Sequence, residues 1–168
     1  MNNTEKRIRE IKLVVTDVDG VLTDGGFYYS EEGILLKKFN VKDGMGMRLL
    51  KQEGFVTGII TTDKTGFIKA RAERMKPDFL ITGTWDKLGE LKKKLDELSF
   101  ALENVAYIGD DVNDIEILKA VGFSAAPSDA VNEVLEIADY VCKRGGGKGA
   151  FREFADIIIK ARKNNFLS

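Results

Sequence analysis

The chain has 168 residues, 43% hydrophobic and 32% charged, with a net charge of −1; this fits one globular domain over residues 1–168 and gives no global attraction to nucleic acid or to an anionic membrane. It has no histidine, which excludes a Ser-His-Asp triad, a phosphohistidine and His-ligated zinc, so acid–base chemistry falls to carboxylates, lysine or tyrosine. A single cysteine, Cys142, excludes an intrachain disulfide, no apolar run reaches transmembrane length, and the first residues lack a signal peptide's apolar segment; a cytoplasmic location is the expectation.

The apolar run Lys12–Thr16 predicts a buried strand that ends on Asp17-Val18-Asp19-Gly20. Carboxylates at i and i+2 on extended chain project to one side. Like charges that close need a shared proton or a cation. Next, Gly26–Ser30 and Ile34–Phe39 flank Glu31-Glu32-Gly33 and predict a β-hairpin over about residues 26–39. A lone hairpin is marginal in water, so this one needs cover from its own domain or from another subunit. Further strands are expected at Val56–Thr61, Phe79–Ile81, Val105–Ile108 and near Phe123. Helical faces are marked by Ile68, Ala72 and Met75, by Leu88, Leu91, Leu95 and Leu98, and by Phe151, Phe154, Ala155 and Ile158. The alternation predicts an α/β fold: a Rossmann-like, three-layer parallel sheet with helices on both faces.

Four polar clusters each follow a predicted strand: Asp17/Asp19, Thr61-Thr62-Asp63-Lys64, Lys87, and Gly109-Asp110-Asp111-Val112-Asn113-Asp114. In a parallel sheet they converge on one rim. Carboxylates, a hydroxyl and an ammonium there suit a hard cation and a phosphoryl group. Singly each has a plainer reading: Asp110 and Asp111 as helix caps, Thr61 as a strand-end hydroxyl, Lys87 as a solvated helix lysine. Trp85 reads as a packing residue. The run Lys143–Gly149 is either a connector before the last helix or an anion site; Arg144, Lys148 and Arg152 are candidates to bind a substrate carboxylate or phosphate. Cys142 and Lys148 do not make a cysteine-phosphatase loop, which ends on arginine.

Asp17-x-Asp19-Gly20-x-x-Thr23, a strand-end Thr61, Lys87 and Gly109-Asp110-Asp111-x-x-Asp114 resemble, in order, the four motifs of the haloacid dehalogenase-like phosphatases. More narrowly, residues 17–25, the hairpin, Asp43-Gly44, Gly83-x-x-Asp86-Lys87-Leu88, residues 106–111 and residues 144–153 are similar to the small capless members that dephosphorylate 3-deoxy-D-manno-octulosonate 8-phosphate, and to relatives acting on nine-carbon 2-keto sugar acid phosphates. The resemblance implies that Asp17 is a nucleophile forming an aspartyl phosphate and that Asp19 protonates the leaving group and then deprotonates water. It implies Mg²⁺ held by the Asp17 carboxylate, the Asp19 backbone carbonyl and the Asp110 carboxylate. Thr61 and Lys87 hold the phosphoryl group, and Asp111 and Asp114 orient metal waters and Lys87. It further implies a small-molecule sugar acid phosphate as partner, a place in surface-polysaccharide synthesis, and a homotetramer with the hairpin at its interface. One departure is Thr61-Thr62-Asp63 where family members often have Thr-Gly-Arg or Thr-Gly-Glu. It bears on substrate preference, and Thr61-x-x-Lys64-Thr65 looks more like the nine-carbon branch. A signalling receiver and a non-catalytic binding module are the alternatives of another class; the order of Lys87 before Gly109-Asp110-Asp111 and the intact carboxylates speak against them.

Overall fold

The structure is a computed structural model, and it describes residues 3–163. A six-stranded parallel sheet runs β5 (Phe79–Ile81), β4 (Val56–Ile60), β1 (Leu13–Thr16), β6 (Val105–Ile108), β7 (Phe123–Ala126), β8 (Tyr140–Val141). Period-two alternation builds the two cores on its faces. Val14, Ile59, Ala106, Ile108 and Ala125 point to one side, under α1 (Asn3–Arg9), α2 (Val41–Gln52), α3 (Gly66–Met75) and α7 (Ala150–Lys163). Leu13, Val15, Ile60, Val105, Tyr107 and Ala126 point to the other, under α4 (Lys87–Leu98), α5 (Ile115–Ala120) and α6 (Asn132–Leu135). The expected α/β fold with helices on both faces is therefore the observed one, and among the described residues no cap domain is present. Strand order reverses at β1, which lies between β4 and β6. That is the position where open α/β sheets leave a crevice beyond their C-terminal strand ends.

Helices α1, α2 and α6 and strand β8 lie outside the sequence expectations. β8 is only two residues long. Helix α2 contains Gly44 and Gly46, poor helix formers that blur its pattern. Packing explains Gly46: a Cβ there would stand 3.2 Å from the Arg152 Cα of α7. The hairpin pairs β2 (Tyr28–Ser30) with β3 (Gly33–Leu36) and joins no other strand. Tyr28, Tyr29, Leu35 and Leu36 remain 54–65% exposed, so the parent domain does not cover the hairpin.

The glycine-rich loop before α7 is a brace for the loop after β1. Gly147 N–H donates to the Val21 carbonyl at 2.9 Å, and Gly146 N–H to Asp129 Oδ1 at 2.8 Å. Glu153, in the first turn of α7, accepts from the backbone N–H groups of Lys143 and Arg144 and from the Tyr140 hydroxyl. A Cβ on Gly146 would fall 2.0 Å from the Gly20 carbonyl oxygen, a backbone atom that cannot swing away. Gly146→Ala is therefore expected to destabilise the protein by about 1–3 kcal/mol. That lowers the thermal midpoint by about 2–12 °C, since each kcal/mol is worth about 2–4 °C at this size. An unchanged midpoint in a calorimetric scan contradicts the brace.

Candidate active site

Asp17 follows β1 directly and is 5% exposed. Its Oδ1 accepts from the Val18 N–H at 2.7 Å, and its Oδ2 meets the Lys87 ammonium at 2.9 Å. Lys87 opens α4, where Asp86 caps the helix by accepting from Gly89 N–H, so the lysine stem is directed into the fold rather than into water. Its side chain is 1% exposed and also meets Asp114 Oδ1 at 2.6 Å. Burial opposes charge on Lys87, but Asp17 and Asp114 outweigh it and hold its pKa above the usual lysine value. Burial first, then the charge of Asp114, pushes Asp17 up to about 7 against the pull of Lys87.

Asp110 and Asp114 come from the loop after β6. Asp114 is fully buried and saturated: Oδ1 accepts from Lys87 and from the Tyr107 hydroxyl at 2.6 Å, and Oδ2 from the N–H groups of Asp110 and Asp111 at 3.0 and 3.4 Å. It orients the site. Asp110 Oδ1, by contrast, is buried without a partner. Burial, then Asp17, Asp114 and Asp111, push Asp110 up to about 8. Gly20 makes room for it, at φ +83°, with a Cβ position 1.8 Å from Asp110 Oδ2. One oxygen from each of Asp17, Asp110 and Asp114 lies within 4.8 Å of the others. An orphaned carboxylate oxygen beside crowded carboxylates is the donor set of a hard, oxygen-seeking cation, and Asp17 and Asp110 are the residues with capacity to hold it.

Asp19 stands at the mouth of the same pocket, a cavity of about 380 Å³ lined also by Asp17, Thr61, Asp110 and Trp85. Its Oδ1 accepts from the Thr23 hydroxyl at 3.1 Å and its Oδ2 from Lys37 Nζ at 2.7 Å. Thr61 is buried; its oxygen accepts from the Asp63 N–H at 3.2 Å, which leaves its proton free to donate. Asp63 does not face the pocket as a free charge: it pairs with Lys37 and accepts from Thr65. Asp111 is exposed and accepts from its neighbour's N–H, Val112.

Asp17, Asp19, Thr61, Lys87, Asp110, Asp111 and Asp114 thus come together as their spacing predicts. Arg144, Lys148 and Arg152 do not join them. Arg144 and Arg152 line a separate basic concavity with Lys42, Lys143 and Lys160, and Lys148 lines neither. Trp85 is a correction: expected to pack, it is 77% exposed at the pocket mouth, on the loop before the Asp86 cap where no element covers it. Cys142 is buried, and burial pushes its thiol up to about 12, far from a nucleophile. Lys37 and Tyr107 also belong to the site, through Asp19 and Asp114, without a motif to mark them. Only Tyr107 carried a signal, as the polar-tipped residue next to last in β6.

Residues 67–149 match the haloacid dehalogenase-like hydrolase family. The 3-deoxy-D-manno-octulosonate 8-phosphate phosphatase of Escherichia coli strain K12 is 38% identical over 156 residues, covering 93% of this chain and 83% of that protein. The crystal structure of the corresponding phosphatase from Yersinia pestis has a TM-score of 0.92 at 38% identity, covering 96% of this chain and 88% of that one. That from Moraxella catarrhalis, in complex with a magnesium ion, a phosphate ion and a KDO molecule, also scores 0.92, at 36% identity over 98% of this chain and 94% of that one. None of these relatives is a receiver or a binding module. The chain belongs to the haloacid dehalogenase-like hydrolases, as a phosphoric monoester hydrolase of the 3-deoxy-D-manno-octulosonate 8-phosphate phosphatase family.

Proposed function

We propose that this protein is a Mg²⁺-dependent phosphatase that hydrolyses 3-deoxy-D-manno-octulosonate 8-phosphate to the free sugar acid and inorganic phosphate through an aspartyl phosphate on Asp17. The observation that carries the reading is Asp17 itself: a buried carboxylate fixed at both oxygens, beside an ammonium, with a second carboxylate two residues on. The Moraxella relative, with magnesium, phosphate and the sugar acid bound, supports the choice of ion and substrate.

Asp17 attacks phosphorus, and the bond to the sugar oxygen breaks as Asp19 gives that oxygen a proton. Water then attacks phosphorus, its proton passing to Asp19, and the Asp17–phosphorus bond breaks to restore the carboxylate. Thr61 donates its free proton to a phosphoryl oxygen, and Lys87 supplies positive charge between Asp17 and the phosphoryl group. Asp114, saturated by its donors, holds Lys87 and the Asp110 loop in place, and Asp111 would orient waters on the metal. Asp17, the Asp19 carbonyl and Asp110 would hold Mg²⁺, which would neutralise phosphate charge.

The exposed aromatic and leucine side chains of the hairpin support a homotetramer in which hairpins cover one another and close the open rim. Arg144, Lys148 and Arg152, which do not line their own subunit's pocket, then serve a neighbouring subunit's substrate. Among the described residues no helix is long and apolar enough to cross a membrane. A cytoplasmic place in surface-polysaccharide precursor synthesis follows from the substrate; recovery of the native protein in another compartment argues against it.

A phosphate-release screen with Mg²⁺ over eight- and nine-carbon 2-keto-3-deoxy sugar acid phosphates, with hexose phosphates as controls, tests the substrate. The eight-carbon acid is expected to lead, and preference for a nine-carbon acid or a hexose phosphate overturns the choice. In the same assay Asp17→Asn is expected to abolish turnover. Asp19→Asn is expected to lower it about 10²–10⁴-fold, the usual contribution of a general acid–base group. Activity surviving Asp17→Asn contradicts the covalent step. Light scattering is expected to give about four times the 18.7 kDa chain mass, and a monomer contradicts the assembly.

A further inference from the structure

Lys37 is the one hairpin cation whose side chain has no exposed surface. It leaves β3 and reaches inward to two carboxylates from distant segments, Asp19 Oδ2 at 2.7 Å and Asp63. The Phe27 ring lies 4.6 Å from its nitrogen and covers it from the hairpin side. Asp63 is itself pinned, accepting from Thr65 N–H at 2.7 Å and from the Thr65 hydroxyl at 3.0 Å. One ammonium therefore ties the hairpin, the loop after β1 and the loop after β4. Two carboxylates meeting on one cation repel each other once it is removed, so Asp19 loses its fixed orientation without Lys37.

We propose that Lys37, anchored by Asp63, is a positioning residue that holds Asp19 as the base of the second half-reaction. The proposal rests on the reading of Asp17 and Asp19 above. Both partners of the Asp19 carboxylate, Thr23 and Lys37, are donors. They fix the direction of both its oxygens. When water attacks the phosphoryl group on Asp17, its proton goes to Asp19, its oxygen bonds phosphorus, and the bond from phosphorus to Asp17 breaks with its electron pair returning to the carboxylate. An Asp19 left to swing slows this step. Asp63 then acts on Lys37 rather than on the substrate.

The test uses p-nitrophenyl phosphate with Mg²⁺, because p-nitrophenolate leaves without needing a proton and only the second half then calls on Asp19. After acid quenching, intact mass gives the fraction of chain carrying one phosphoryl group. Lys37→Met is expected to lower kcat about 10–100-fold, part of a general base's worth, while the phosphorylated fraction rises. Lys37→Arg is expected to restore both toward the wild type. Asp19→Asn provides the reference and accumulates phosphoenzyme. A slow Lys37→Met with no accumulation, beside an Asp19→Asn that accumulates, overturns the proposal and leaves the mechanism standing. Absence of accumulation in both overturns the role of Asp19 and the proposal with it. Should Lys37→Met fail to fold, Asp63→Asn carries the test: it loosens Lys37 without removing it, smaller accumulation is expected, and none overturns the proposal.

Discussion

At the end of β1 three carboxylates, Asp17, Asp110 and Asp114, crowd together, and the buried ammonium of Lys87 meets two of them, Asp17 and Asp114. Charge that dense is unfavourable away from water, and the protein keeps it by dividing the burden. Asp114 is neutralised by donors on both oxygens, Asp17 is half neutralised, and Asp110 is left with a bare oxygen. Much of the fold serves this arrangement. The strand reversal at β1 brings the loops after β1 and β6 side by side. Gly20 vacates the space that Asp110 fills, and Gly146 lets the loop before α7 close against the back of Gly20.

The hairpin acts on this centre in two directions. Its aromatic and leucine side chains face out, uncovered by the chain, while Lys37 and Phe27 at its base face in toward Asp19. A capless rim has little to position a proton-transfer group beyond its own loop. Here the hairpin reaches Asp19 through one lysine, which Asp63 shares.

The centre was legible in the sequence because its parts are local. Asp17, Thr61 and Asp110 each follow a strand whose apolar run is unmistakable, and parallel strands bring such ends together. The hairpin, too, announced itself through Glu31-Glu32-Gly33. Lys37 was not legible: it meets partners 18 and 26 residues away, and nothing in Leu36-Lys37-Lys38-Phe39 tells an inward lysine from an outward one. Trp85 misled because an apolar ring signals burial in general, while its loop leaves it at the pocket mouth. The glycines at 145–147 suggested an anion loop, yet the room at Gly146 and Gly147 is taken up by backbone and that at Gly145 by the Asp129 carboxylate. Helix α2 was hidden by its own glycines: Gly46 packs against Arg152 of α7, more than 100 positions away, and Gly44 faces Arg71 of α3.

The dependence of the site on a cation is open to direct measurement. Asp17 is pushed up to about 7 and Asp110 to about 8, so without a cation the two neighbouring carboxyls share protons near neutral pH that metal binding must displace. Titration of Mg²⁺ into the metal-free protein by calorimetry, in buffers of different ionisation enthalpy, reads that exchange. The account predicts release of about one proton per ion near pH 7, with affinity rising from pH 6 to 8 and levelling above as both carboxyls ionise. Binding without proton release and with no change in affinity over that range contradicts it.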